Sequence, residues 1–131
     1  MNKNISNEEQ QIRFPYLLCE TKTDDTILYA SSSYLEMVGY SKNDFIGKNH
    51  SIVFHPDMPK RYLEEAWESS KVKGFWTGHI KKVHKDGKHF FWAFVTILTK
   101  TSPSGEVLFT FINTPPVAEE LKKFKEESGI P

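Results

Sequence analysis

Apolar residues along this chain change their spacing twice. Phe14 to Glu20 and Thr26 to Ala30 are short apolar runs around Thr21-Lys22-Thr23-Asp24-Asp25, a polar loop of the length that joins two antiparallel strands. From Ser31 the spacing becomes helical. Tyr34, Met37 and Val38 share a face, Ser31 to Ser33 cap it, and Gly39 ends it by supplying a left-handed backbone angle. Ser41 and Asp44 cap a second, one-turn helix that Gly47 closes. A longer helix is predicted from Asp57 to about Lys73, with Tyr62, Leu63, Ala66 and Trp67 on one stripe and Gly74 as the stop. Alternation then returns in Trp76 to Lys85, Lys88 to Lys100 and Glu106 to Thr114, joined by turns at Asp86-Gly87 and at Ser102-Pro103-Ser104-Gly105, which predicts an antiparallel meander. Pro115 and Pro116 end the last strand, and Val117, Leu121 and Phe124 repeat at helical spacing beyond it.

The order of elements is that of an α+β domain over residues 14–115. It is preceded by an N-terminal cap, 1–13, in which Ser6 and Glu9 form a capping-box pattern for a short helix carrying Ile5 and Ile12. It is followed by an exit helix, 116–131, expected to serve as a linker to an output domain outside this chain. The strand from Lys88 to Lys100 is apolar on both alternating faces: Phe90, Trp92, Phe94 and Leu98 on one, Phe91, Ala93, Val95 and Ile97 on the other. Such a strand is covered on both sides. One side falls to the helices, and the other to the cap, the exit helix or a second copy of the chain, so a homodimer is expected.

Composition narrows the partners. Seventeen basic and seventeen acidic residues cancel in a chain of 131, so no net field draws nucleic acid or an anionic membrane surface. The longest apolar stretch, Phe90 to Leu98, is half of what spans a bilayer, so no membrane contact by this segment is expected. A single cysteine, Cys19, and a polar amino-terminal stretch point to a reducing cytoplasm.

Candidate chemistry is sparse. Histidines at 50, 55, 79, 84 and 89 have no cysteine partners, and the last three read as hairpin residues that do not converge, so no metal site is expected. There is no nucleophile elbow, no phosphate loop and no Ser, His and Asp constellation, so the module is not expected to be an enzyme. Lys71, Lys73, Lys81, Lys82, Lys85 and Lys88 read as a solvated sheet edge. Lys82 alone is in phase with Trp76 and Ile80 and is predicted to point inward.

The segment Gly47-Lys48-Asn49-His50-Ser51-Ile52-Val53-Phe54-His55-Pro56-Asp57-Met58-Pro59-Lys60 carries a resemblance, together with Gly39-Tyr40-Ser41, Trp67, Trp76-Thr77-Gly78 and Lys85-Asp86-Gly87. Over roughly residues 16–115 the chain resembles PAS sensory domains, above all the N-terminal PAS domain of bacterial aerotaxis receptors and related chemotaxis transducers. The resemblance implies a five-stranded antiparallel sheet cupping short helices on one face, a pocket between them, FAD in that pocket, and output through the flanking segments. It also implies that His55 and Asp57 stand where aerotaxis domains need them for FAD, that Trp76 opens the strand under the ring, and that Asn113 takes the place of an inward amide at the flavin edge. Asn49, His50, Trp67, Lys82 and Trp92 complete the expected cofactor-binding set.

Three positions depart from the family pattern: Phe54 replaces an arginine, and Lys82 and Ser31 each replace an asparagine. Loss of the arginine removes a charge partner for a diphosphate, and an ammonium in place of an amide removes an acceptor while adding charge. His50 stands where blue-light domains carry their adduct-forming cysteine, so covalent photochemistry is not expected. Two alternatives to FAD stay open: haem held by His50 or His55 with Trp92 lining a gas pocket, and a cofactor-free dimerisation module.

Overall fold

The computed structural model describes residues 8–131. Its helices are α1 (Ser32–Val38), α2 (Lys42–Phe45), α3 (Lys60–Lys73) and α4 (Ala118–Ser128), with a 3-10 turn at His50–Val53. Its strands are β1 (Glu8–Glu9), β2 (Leu17–Lys22), β3 (Ile27–Ala30), β4 (Phe75–Val83), β5 (His89–Thr101) and β6 (Val107–Thr114). Strands β4, β5, β6, β2 and β3 lie in that order, each antiparallel to its neighbour. This is the α+β arrangement expected, with one addition. β1 pairs in parallel with the start of β5, Glu8 opposite His89 and Glu9 opposite Phe90, so the sheet is mixed. The helix expected from Ser6 is corrected at Glu9, which is extended; Ile5 and Ser6 lie outside the described residues.

Local signals set most element ends. The Ser31 side chain accepts from the Tyr34 amide to start α1, and Gly39 closes it at φ 80°. Ser41 accepts from the Asp44 amide to start α2, and Gly74 ends α3 at φ 86°. The exception is the start of α3, placed at Lys60 rather than Asp57. The Asp57 carboxylate is engaged by Lys81 at 2.8 Å and so is not available to cap a helix.

The two faces of the sheet are buried differently. On the inner face Leu17, Cys19, Ile80, Phe91, Val95, Ile97, Phe109 and Phe111 are buried under Tyr34, Met37, Val38 and Phe45 from α1 and α2. Full burial of each large apolar side chain stabilises by about 1.5–3 kcal/mol. The outer face is covered by α4, whose Phe124 ring lies 5.2 Å from His79, 5.9 Å from Trp92 and 5.5 Å from Tyr62 of α3. Of the three covers open to the two-faced strand, the exit helix supplies this one. Phe75 and Leu98, opposite each other on β4 and β5, lie beyond its reach and stay exposed.

Gly39 packs against the β4–β5 hairpin: a Cβ there would sit 2.2 Å from His84 Nε2. Gly47 has a similar φ, 87°, with nothing within 4 Å of such a Cβ. Gly47→Ala should therefore cost only the left-handed penalty, about 1–2 kcal/mol, and Gly39→Ala clearly more, read as a larger drop in urea midpoint. Equal drops would show that the contact with His84 does not matter.

Candidate functional site

Lys82 is the next-to-last residue of β4 and points into the core, fully buried. Its Nζ donates to the Tyr34 hydroxyl at 2.6 Å, and that hydroxyl lies 3.0 Å from His50 Nε2. The ammonium also sits over the Tyr34 ring at 4.8 Å and the Phe54 ring at 5.6 Å. A protonated lysine has only donors, so the tyrosine then accepts from it and donates onward to an unprotonated His50 Nε2. The resulting chain ties β4 to α1 and α1 to the 3-10 turn, bridging sheet and helices.

Burial sets the protonation states. Desolvation pulls the Lys82 pKa down from 10.5 to about 7. Desolvation, then the nearby Lys82 charge, holds His50 well below its usual 6.5, in agreement with its acceptor role. Burial pushes the Cys19 thiol up to about 12, so it is an inert core residue on β2. His50 Nδ1, Asn113 Oδ1 and Thr21 Oγ1 are buried with no hydrogen-bond partner, while Asn113 Nδ2 donates to the Leu17 carbonyl at 3.2 Å.

The expected cofactor-binding residues divide into groups. His50, Lys82 and Asn113 are fully buried on the inner side. Trp67 and Trp76 stand at its rim, Trp67 5.9 Å from Phe54 and Trp76 5.6 Å from Tyr62. Asn49 faces solvent and caps the 3-10 turn, accepting from the Ser51 amide at 2.9 Å. His55 and Asp57 are on the far side of β4 from Lys82. His55 Nδ1 accepts from the Asp57 amide, and its ring lies 5.9 Å from Phe90. Trp92 is on the outer face under Phe124, so it shares no pocket with His50.

Lys81, read from the sequence as part of a solvated edge, is 4% exposed. It donates to Asp57 at 2.8 Å and to the Pro131 carbonyl at 3.0 Å, and lies over the Phe90 ring at 4.5 Å. Lysines 81 and 82 thus face opposite sides of one strand, one holding the core chain and the other the end of the segment after α4. Strand alternation contained the signal: if Ile80 and Lys82 point inward, Lys81 points outward, toward the exit helix. An open apolar groove of about 470 Å³, lined by Phe54, Met58, Leu63 and Trp67 among others, runs between the 3-10 turn and α3.

Residues 27–109, well over half of the chain, match the family described as PAS fold, and the chain belongs to that family. It is 31% identical over 74 residues to the aerotaxis receptor of Escherichia coli, covering 56% of this chain and 15% of the receptor. It is 27% identical over 88 residues to phototropin-2 of Oryza sativa subsp. japonica, covering 67% of this chain and 10% of that protein. The chain therefore spans only a small part of either relative. Among solved structures, a PAS domain from Colwellia psychrerythraea superposes with a TM-score of 0.69 at 23% identity, covering 80% of this chain and 89% of that one. The blue-light photoreceptor Aureochrome1 LOV superposes equally well, at 0.69 and 21% identity, over 87% of this chain and 85% of that one. At such identities the likeness is one of fold. The domain is a PAS sensory domain related to those of the aerotaxis receptor and phototropin.

A planar ring system does not fit the inner site as it is packed. The His50 ring meets Phe111 of β6 edge to face with centroids 4.7 Å apart, and it lies 5.0 Å from Phe54. A flat ring held between two surfaces needs contacts of about 3.5 Å on each side, or roughly 7 Å in all. Here the helical and sheet sides touch directly, and the Lys82–Tyr34–His50 chain crosses the space.

An unfolded lysine keeps its proton to about 10.5 whereas Lys82 sheds it near 7, so above pH 7 the unfolded chain holds the extra proton and stability rises with pH. From about pH 9 upward the raised Cys19 pKa, and above 10 those of Tyr34 and Tyr62, act oppositely. Below pH 6.5 the depressed His50 pKa lowers stability further as protons are added. Exposed His89, its pKa raised, acts oppositely just above 6.5. The difference from Lys82→Met isolates the lysine: that variant should be more stable at pH 6.5 by about 1–3 kcal/mol, with the gap narrowing toward pH 9. Urea titrations at both pH values measure it, and an unchanged gap contradicts the assignment.

Proposed function

We propose that this is the sensory PAS module of a cytoplasmic chemotaxis-type signal transducer, that its input is read at the Lys82–Tyr34–His50 chain, and that its output leaves through α4. The module transmits rather than catalyses, works as a homodimer, and acts on a signalling domain beyond this chain. One observation carries the reading: adjacent residues of β4 hold the core chain on one face and, through Lys81, the Pro131 carbonyl on the other. A change in the charge or hydrogen bonding of Lys82 moves the strand that Lys81 shares, and a coupling of about 1–3 kcal/mol would shift the exit helix between two states. Among the described residues no helix is long and apolar enough to cross a membrane.

The second reading is FAD as an oxygen-linked redox cofactor. It is favoured by the resemblance to aerotaxis receptors and by the unpartnered polar atoms of Asn113 and His50 on the inner side, which are of the kind that meets a flavin edge. It requires the His50–Phe111 contact to open. Haem through His50 would need the same opening, and Trp92 would not line its pocket.

Purified protein, with and without added FAD or haem, tests both readings by its visible spectrum. A folded, colourless protein that leaves both cofactors free supports the chain reading. One equivalent of bound flavin supports the second, and a Soret band the haem alternative. Hydrogen exchange of residues 118–128 should quicken in both Lys81→Ala and Lys82→Met. Unchanged exchange in Lys82→Met would remove the proposed route from core to exit helix.

A further inference from the structure

The sequence reading held the hairpin histidines apart, but the fold brings two of them together. Residues 84–88 link β4 to β5, with Gly87 at φ 74° turning the chain, so that His84 and His89 face each other with ring centroids 5.8 Å apart. The Asp86 carboxylate stands with them: Oδ1 is 3.3 Å from His84 Nδ1 and Oδ2 is 2.5 Å from His89 Nδ1. One ligand atom from each of the three residues lies within 4.8 Å of the other two. A tetrahedral ion with bonds of about 2.0–2.2 Å holds its donors roughly 3.3–3.6 Å apart. The His84–Asp86 pair is at that spacing, and the shorter His89–Asp86 hydrogen bond would lengthen by about 1 Å to admit the ion.

The other sides of the two rings point to the same use. His89 Nε2 is 3.1 Å from the Glu8 carboxylate on β1. A histidine that binds a metal through one ring nitrogen donates the other N–H to an outer acceptor, commonly a carboxylate, which fixes its tautomer and orientation. Glu8 is placed for that role when His89 ligates through Nδ1. The Nε2 side of His84 packs on Gly39, which leaves Nδ1 as the nitrogen turned toward Asp86. Both imidazoles therefore turn Nδ1 toward Asp86, His84 accepting from its amide and His89 bonded to its carboxylate, and two histidines with one carboxylate make a three-ligand set that leaves a fourth position for water.

We propose that His84, Asp86 and His89 form a binding site for a divalent transition-metal ion of the zinc type, with Glu8 as the positioning residue for His89. On binding, the ion replaces the hydrogen bonds that His84 Nδ1 accepts from the Asp86 amide and that joins His89 Nδ1 to Asp86 Oδ2. A metal-bound imidazole is a stronger N–H donor, so the Glu8 contact tightens. Since, among the described residues, β1 pairs with β5 at Glu8 and Glu9, occupancy of the site would fasten this edge strand more firmly to the sheet. The site lies apart from the Lys82 chain and does not depend on the role proposed for it.

Titration of the tag-free full chain with Zn²⁺ by calorimetry, and with Co²⁺ by visible absorption, tests the assignment. One equivalent of saturable binding is expected, with a four-coordinate Co²⁺ spectrum, lost in His84→Ala and in His89→Ala and unaffected in Asp24→Asn. Glu8→Gln should keep the spectrum and weaken binding about 10–100-fold, and Zn²⁺ should slow amide exchange at residues 8–10 in the wild type but not in Glu8→Gln. If the alanine variants do not fold, the imidazole proton resonances of the wild type decide: Zn²⁺ must shift those of His84 and His89 and leave those of His50, His55 and His79 in place. Absence of saturable binding, binding that survives both alanine substitutions, or shifts at other histidines would overturn the proposal.

Discussion

A lysine buried between a sheet and the helices that cover it constrains the arrangement of everything around it. Protonated, Lys82 has three donors, no acceptor and no access to water, so burying it is costly unless another group meets its nitrogen. Tyr34 does so from α1, and because a phenolic oxygen that accepts still carries a proton to give, His50 has to lie on its other side as an unprotonated acceptor. Three elements far apart in sequence are thereby held in one geometry by two hydrogen bonds. Buried polar networks of this kind are demanding: fully satisfied they specify one arrangement, and with a partner removed they leave a costly unpaired group.

This constraint also bears on what the PAS fold does here. The space between its sheet and its short helices is occupied in this chain by the rings of Tyr34, Phe45, His50, Phe109 and Phe111, packed edge to face. The three positions where the resemblance implies other residues each have a role in the packing. Phe54 packs on His50 and Trp67, Lys82 anchors the chain, and Ser31 caps α1.

The outer face shows how one strand serves two environments. Lys81 and His79 face α4 while Lys82 and Ile80 face the core, and the interval between the two layers is a single peptide unit. A strand is stiff along its length and hydrogen-bonded on its edge to β5, so a displacement at one residue is shared by its neighbour on the opposite face. The packing of Phe124 on His79, Trp92 and Tyr62 makes α4 part of the domain.

Local chemistry was enough to read much of this molecule from its residues alone. The helix caps at Ser31 and Ser41, the stops at Gly39 and Gly74, the meander from Trp76 to Thr114 and the inward phase of Lys82 all follow from side chains acting within a few positions of themselves. The family could be read from the His55-to-Lys60 motif and the tryptophans. What the chain alone did not decide is which groups meet across long separations. Tyr34 finding Lys82, Lys81 finding Asp57 and Pro131, and β1 joining β5 in parallel are pairings between segments whose own sequences are equally compatible with solvent. They arise only when the sheet brings them within hydrogen-bonding reach, because the free energy of such a contact depends on the partner's position and on the exclusion of water, neither of which is written in the local run of residues.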